Sequence, residues 1–380
     1  MAEAAVAGRL CGERERAMKI IKRALRLLDE DPDPLRAAWF WEQRSRLVPA
    51  LARGDGRAEL ATAQDLVRGL PPSEVHAQVL ASAAAWSMLH RPGPEAMAAA
   101  ERAVEYARMV GAHDIELNAR LTLGGLMVDA GDIEAGLAEM YEVKDRATEL
   151  CADTVVSRSH VNIPSVLEGV GRSEEAVGLL REGIRVTRRL GLLDSEGWVW
   201  GNLAESLHSL GRWDEAAEAA ANAQRLEQSA KPRAGGSIRL AHLAYDRGDL
   251  AEAARRLGHA RTFFGTHDPM PQYALPMTWV ALGVAAAEGR LPRRPGRTAH
   301  RPRRRPPARH PALRLAPAAR RRDRRGRRPR RSGHRTRPSP DPRTPPRHGQ
   351  DPDHRRTGVA GVRRLAARRA AAGRGRARAG

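Results

Sequence analysis

The sequence has little cysteine and no long apolar run. Its two cysteines, Cys11 and Cys151, are far apart and belong to no ligand motif, which excludes a disulfide framework and a zinc site; we expect free thiols that are buried or partly buried. No run of 18 apolar residues occurs, so no segment is long enough to cross a membrane as a helix. The N-terminal residues include Glu3 and Glu13 and lack a signal-peptide core, which favours a cytoplasmic location.

Lysine is also scarce, and no arrangement of residues indicates chemistry. The chain has four lysines and no G-x-x-x-x-G-K-[ST] phosphate loop, so ATP binding by this chain is not expected. The histidines before residue 293 stand singly, which argues against a metal site. No Ser/His/Asp, Cys/His or paired-carboxylate spacing stands out. We therefore expect no enzyme, no catalytic residues, no cofactor and no metal.

What the sequence has in excess is arginine, and this excess is confined to one end. Residues 293–380 contain 31 arginines, no lysine and four aspartates, a net charge of +27, whereas residues 1–292 carry a net charge of −6. The two regions therefore differ in kind: residues 1–292 form a mildly acidic, Ala/Leu-rich body, and residues 293–380 form a cationic tail with very few apolar side chains that could form a core.

Seven glycines recur along the body at intervals of 37 to 41 residues. They are Gly54, Gly93, Gly131, Gly171, Gly211, Gly248 and Gly289. Four of them, Gly131, Gly171, Gly211 and Gly248, separate two clear amphipathic patterns, and we interpret them as structural turn glycines. Self-similarity at this period predicts an all-α, right-handed solenoid of antiparallel helical hairpins.

The clearest unit spans Ser195 to Gln228. Trp200, Leu203, Ala204 and Leu207 fall on one face of its first helix, Gly211 ends that helix, and Trp213-Asp-Glu-Ala216 opens the second. Alanines at 216, 220 and 223 would let the two helices approach closely. This pattern resembles the tetratricopeptide repeat, although the period is about 40 residues rather than 34.

The stretch from about residue 15 to 291 further resembles the repeat arm of large LuxR-family transcriptional regulators. The resemblance is clearest in two segments, Ala204-Glu-Ser-Leu-His-Ser-Leu-Gly-Arg-Trp-Asp-Glu-Ala216 and Pro271-Gln-Tyr-Ala-Leu-Pro276. The resemblance implies a central arm between an ATP-binding domain and a DNA-binding helix-turn-helix. Because this chain has neither, we interpret it as a fragment of such a regulator.

Both ends of the array are expected to be incomplete. Residues 12–21 read as a second helix with only eleven residues before it, and Gly289 is followed by Pro292-Arg-Arg-Pro295 rather than by an acid and alanines. We therefore divide the chain into a repeat array at 1–291 and a disordered Arg/Pro-rich tail at 292–380. The tail is either an out-of-frame translation of a gene rich in G and C or an evolved basic segment.

Equivalent positions before the turn glycines predict a polar groove on the concave face. The candidate binding residues are Asn162, Asn202, Glu168, Glu205, His208 and Arg239. They would hold a protein or peptide partner, or a small effector. The alternative is that these residues lie on ordinary solvated helix faces, or that the asparagines join neighbouring hairpins by hydrogen bonds.

A different function, non-specific nucleic-acid binding, would come from the tail, since phosphate neutralisation needs only cationic charge.

Overall fold

Fifteen α-helices and no strand make up the part of the chain that the computed structural model describes, residues 1–10, 12–226, 230–263 and 271–290. Residues Met1–Ala299 form one compact unit. The helices are α1 (Ala2–Leu10), α2 (Arg14–Glu30), α3 (Pro34–Ala50), α4 (Arg57–Val67), α5 (Glu74–His90), α6 (Pro94–Met109), α7 (His113–Ala130), α8 (Ile133–Glu149), α9 (Asp153–Gly169), α10 (Ser173–Leu190), α11 (Leu193–Ser209), α12 (Trp213–Arg225), α13 (Ala230–Asp246), α14 (Leu250–Thr262) and α15 (Pro271–Ala287). The predicted tail at 292–380 lies outside the described residues.

The helices form seven consecutive hairpins, from α1–α2 to α13–α14, followed by α15. From α5 onward, each odd-numbered helix packs on its own partner and on the next odd-numbered helix, as α9 does on α10 and α11. This repeated contact builds a solenoid with the odd-numbered helices in one layer. The predicted all-α array of helical hairpins is therefore confirmed.

The turns within the four hairpins from α7–α8 to α13–α14 share one backbone arrangement. Gly131, Gly171, Gly211 and Gly248 have φ values of 106°, 80°, 73° and 81°, in the left-handed region that favours glycine. At Gly211 the Arg212 N–H donates to the Leu207 carbonyl oxygen at 2.9 Å, closing the end of α11. Acidic residues then begin the next helix, where they complement its dipole.

The core lies between the two helices of each hairpin and between successive hairpins. The spaced alanines of α12, Ala216, Ala220 and Ala223, are fully buried against α11 and α13, as the sequence pattern predicts. Leu203 and Leu207 of α11 are buried on the facing side. One continuous apolar cluster extends from Leu117 in α7 to Leu243 in α13, so neighbouring units share their core.

Two expectations differ from the structure. The first eleven residues do not leave α2 unpartnered, because Ala2–Leu10 forms a short helix, α1, that packs on α2. Cys151 is exposed rather than buried, and its φ is +54°. It takes the place of Gly111 and Gly191, forty residues to either side, which close second helices at positive φ. Cys11 lies outside the described residues.

None of the described helices combines the length and the apolar character needed to cross a bilayer.

The array curls back so that its first helices meet its later ones. Helix α3 contacts α13, and the Arg14 guanidinium of α2 pairs with the Asp194 carboxylate of α11 at 2.5 Å. We call this junction the seam. It brings the N-terminal helices beside the odd-numbered helices of later hairpins.

Candidate functional site

Several odd-numbered helices border a partly open cavity of about 810 Å³, which we call the lumen cavity. Helices α9, α11, α13 and α15 supply most of its wall, and Arg9 of α1 reaches it from across the seam. In α9 and α11 the wall residues fall at equivalent positions in the repeat, such as Arg158 and Trp198 thirteen residues before the turn glycine. The repeat therefore places the same face of α9 and of α11 on the cavity.

Five of the six groove candidates line this cavity: Asn162, Asn202, Glu168, Glu205 and Arg239. The Arg239 guanidinium pairs with the Glu205 carboxylate at 2.5 Å. The Glu168 Oε1 atom accepts a hydrogen bond from the Ser209 hydroxyl at 2.6 Å, whereas its buried Oε2 atom has no partner among the described residues.

Asn202 also has a role within the fold. Its Nδ2 group donates to the backbone carbonyl of Val161 at 3.0 Å, which joins α11 to α9. Asn202 therefore links two neighbouring hairpins, which is the alternative role predicted from the sequence for the asparagines. Its carboxamide still lies on the cavity wall beside Asn162.

The sixth candidate, His208, lies away from the cavity wall. Its Nε2 atom is 2.6 Å from the Asp246 Oδ2 atom, and its ring stacks at 5.8 Å on the ring of His242. His242 in turn meets the edge of Trp279 at 5.1 Å. His208 therefore belongs to an aromatic cluster between α11, α13 and α15.

The structure adds wall residues that the repeat alignment did not include. Trp198 and Tyr273 lie on the cavity with their rings 6.2 Å apart, and the Arg158 and Arg9 side chains reach it from α9 and α1. Arg158 and Trp198 occupy the same face as Asn162 and Asn202, one turn earlier, so extending the alignment by four residues would have found them. Nothing in the local pattern marks Arg9, because only the curl of the array brings α1 to α9.

Burial alters the ionisation of both added arginines. Desolvation, with a smaller contribution from the charge of Arg46, lowers the pKa of Arg9 and of Arg158 to about 10. Glu42 and Asp194 oppose the shift at Arg9. Both guanidinium groups remain charged at neutral pH, so the cavity holds cations in a poorly solvated place.

Among the described residues, no group of three His, Cys, Asp or Glu side chains is placed to hold a metal ion.

No protein-family model and no curated protein matches this chain. Among solved structures, a Rap protein complexed with competence and sporulation factor superposes with a TM-score of 0.54 at 11% identity, covering 76% of this chain and 86% of that one. This likeness supports the fold, a TPR-like solenoid.

Two further solved structures are similar at lower TM-scores. A Signal Transduction ATPase with Numerous Domains that carries a tetratricopeptide repeat sensor, from Pyrococcus horikoshii, has a TM-score of 0.42 at 17% identity over 69% of this chain. The chain spans 41% of the length of that protein. Yeast Tom70 has a TM-score of 0.44 at 12% identity, covering 73% of this chain and 61% of that chain.

Proposed function

We propose that the repeat array is a cytoplasmic, non-enzymatic binding scaffold that holds a peptide segment of a protein partner in the lumen cavity. The observation that carries this proposal is the cavity itself, whose volume of about 810 Å³ lies in the usual range for ligand sites. Trp198 and Tyr273 offer apolar rings for side chains, and the Asn162 carboxamide can both donate to and accept from a peptide backbone.

Unsatisfied polar atoms on the cavity wall support an occupant. The Ser157 hydroxyl, the Glu168 Oε2 atom and the Arg9 Nε atom are buried without a hydrogen-bond partner among the described residues. All three residues line the cavity. Because buried polar groups are nearly always paired in folded proteins, a ligand that supplies their partners would bind favourably. A small polar effector would meet the same requirement and is the alternative occupant.

A blocked cavity tests this proposal. A Cβ atom at Gly201, on the wall in α11, would meet nothing within 4 Å, so Gly201→Trp should fill the space while leaving the helix intact. Gly178→Trp is the matched control, since Gly178 of α10 is exposed and equally unobstructed. Random-sequence decapeptides are selected on the immobilised full chain, and affinities are measured by fluorescence anisotropy.

We expect selected peptides to bind the parent chain and Gly178→Trp equally and to lose at least tenfold in affinity for Gly201→Trp. Recovery of no peptide, or equal binding to both tryptophan variants, would overturn the proposal. Every variant retains the arginine-rich tail, so attraction of acidic peptides to the tail cancels in the comparison.

We further propose that this scaffold is the sensor arm of a LuxR-family transcriptional regulator. The repeat phrases around Gly211 and at Pro271–Pro276 support this, and ligand binding would act by favouring one of two states of the regulator. Resequencing the gene across the codons for Ala281–Arg305 tests it. A corrected frame that continues the repeats into a helix-turn-helix supports the proposal, whereas an unchanged frame argues against it.

The second candidate function is non-specific nucleic-acid binding through residues 292–380. The net charge of +27 on residues 293–380 favours it, because neutralised phosphates release counterions. Deleting 292–380 should abolish binding to a labelled polythymidine strand and leave helicity and peptide binding unchanged. Retained nucleic-acid binding after the deletion would show that the tail is not responsible.

A further inference from the structure

Two guanidinium groups reach the lumen cavity without an acidic partner. Arg158 donates to the Asn118 side chain at 2.5 Å and to the Thr122 hydroxyl at 2.8 Å, both neutral acceptors. The buried Nε atom of Arg9 has no hydrogen-bond partner among the described residues. Neither guanidinium lies within 4.0 Å of a carboxylate of the described residues.

Of the carboxylates near the two arginines, three are engaged with other arginines, and Glu168 accepts a hydrogen bond from the Ser209 hydroxyl. Glu42 is fully buried and accepts from Arg46 at 2.5 Å, and the Glu205 carboxylate is paired with Arg239. Asp194 pairs with Arg14 at the seam. No carboxylate of the described residues therefore forms a direct ion pair with Arg9 or Arg158, although the charges of Glu42 and Asp194 act on Arg9 from a greater distance.

An unpaired cation in a poorly solvated place is unfavourable, and an anion that enters removes this penalty. The lowered pKa values of Arg9 and Arg158 agree with this environment. A planar guanidinium fits the two oxygens of a carboxylate or a phosphate better than it fits a spherical halide, because it can donate two parallel hydrogen bonds.

We propose that the lumen cavity binds an oxyanion, the carboxylate or phosphate group of its ligand, through Arg9 and Arg158. This inference rests on the proposed binding function and names the chemistry that the ligand must carry. Arg9 belongs to α1 and Arg158 to α9, so an anion held by both would link the first helix to the middle of the array. Ligand binding would then strengthen the closure of the seam.

Succinate and inorganic phosphate are the probes that test this. Each is titrated against the full chain at constant ionic strength, balanced with sodium chloride, and the Tm is followed by the near-ultraviolet circular dichroism of the folded state. We expect a rise of about 3 °C at an anion concentration ten times the Kd. A rise with succinate alone identifies a carboxylate site, a rise with phosphate alone a phosphate site, and a rise with both an oxyanion site of either kind.

Arg9→Gln and Arg158→Gln separate the cavity from the arginines of the tail. Each should abolish the rise. Arg9→Gln should leave the Tm without anion unchanged or higher, because it removes a buried charge that has no direct ion pair. Arg158→Gln also loses the hydrogen bonds to Asn118 and Thr122 and should lower the Tm without anion. Arg185→Gln is the control: Arg185 is exposed on α10 and its guanidinium donates only to a backbone carbonyl. It should keep the full rise.

The proposal is overturned if neither anion raises the Tm, if both glutamine variants keep the rise, or if the cavity-filling Gly201→Trp variant keeps it. Failure here is distinguishable from failure of the binding function. If selected peptides bind the parent chain and both glutamine variants equally but do not bind Gly201→Trp, the proposed binding scaffold is supported and the proposed oxyanion site is contradicted.

Discussion

At the scale of single residues, His242 has an unusual ionisation that its position explains. It sits half-buried in the aromatic cluster, and its buried Nε2 atom has no hydrogen-bond partner within the part of the chain that the structure describes. Burial, with smaller contributions from the charges of Arg239 and His208, lowers its pKa to about 4. His242 is therefore neutral in the folded protein at pH 7.

This shift predicts a loss of stability in mild acid. The unfolded chain takes up a proton at His242 near pH 6.5 and the folded chain only near pH 4, so the unfolded state gains protons first as the pH falls. Between pH 7 and pH 5 this residue should lower the free energy of unfolding by about 2 kcal/mol. Urea titrations of the parent chain and of His242→Phe measure the difference.

His259→Phe provides the comparison for His242→Phe, since His259 also meets an aromatic ring, that of Phe263. We expect the parent chain and His259→Phe to lose more stability than His242→Phe over this pH range. An identical pH dependence in all three proteins would show that His242 does not couple to folding.

At the scale of elements, the α7–α8 hairpin is held by a close approach of two backbones. A Cβ atom at Gly136 would lie 2.5 Å from the carbonyl oxygen of Gly124 and 2.7 Å from a methyl group of Val128. Neither contact is with the far end of a flexible side chain, so the helices would have to separate. Small residues at this crossing therefore set the spacing of the hairpin.

Gly136→Ala should destabilise the array by about 1–3 kcal/mol, as overpacking of a filled interior does. Gly178→Ala is the matched change on α10, where an added Cβ atom meets nothing within 4 Å. There alanine should stabilise the helix by about 0.5–1 kcal/mol. Denaturant unfolding measures both, and an unchanged or increased stability of Gly136→Ala would contradict the close-approach argument.

At the scale of the whole molecule, the seam brings Arg9 of α1 to the wall of the lumen cavity. Arg14 is 10% exposed and Asp194 is 42% exposed, so their ion pair is partly shielded from water. Arg14→Gln should cost about 1 kcal/mol and loosen α1 and α2 from α11. Hydrogen exchange should then become faster in α1 and α2, with little change in α9 and α10.

Arg146→Gln is the control for the seam, because Arg146 pairs with Glu149 on the same exposed helix surface. It should leave exchange in α1 and α2 unchanged. If Arg14→Gln does the same, the ion pair does not hold the N-terminal helices in place.

Much of the fold could be predicted from local patterns. The buried alanines of α12 and the turn at Gly211 follow from side-chain spacing along one helix and from one backbone conformation, both of which are local. The short helix α1 was missed because nine residues are too few to offset the cost of helix nucleation alone, and packing on α2 stabilises it.

The candidate site was predictable only where it follows the repeat. Asn162, Asn202 and Arg239 were placed on one face because each lies nine residues before a turn glycine. His208 and Glu168 both lie three residues before a turn glycine. His208 nevertheless pairs with Asp246 and lies away from the cavity, because the side chains packed against the end of a helix differ from one repeat to the next. The repeat alignment therefore predicts the helix face on which a side chain lies, but not the residue that it contacts.

The sequence by itself determined that this protein is an array of helical hairpins of about 40 residues, because helix periodicity and turn glycines act over a few residues. Only the tertiary structure decided that Arg9 and Arg158 reach the same cavity and that Arg14 meets Asp194. These residues are brought together by the curvature of the array, which accumulates from small rotations at every hairpin interface. Because many interfaces contribute, the curvature cannot be predicted from any short segment of the sequence.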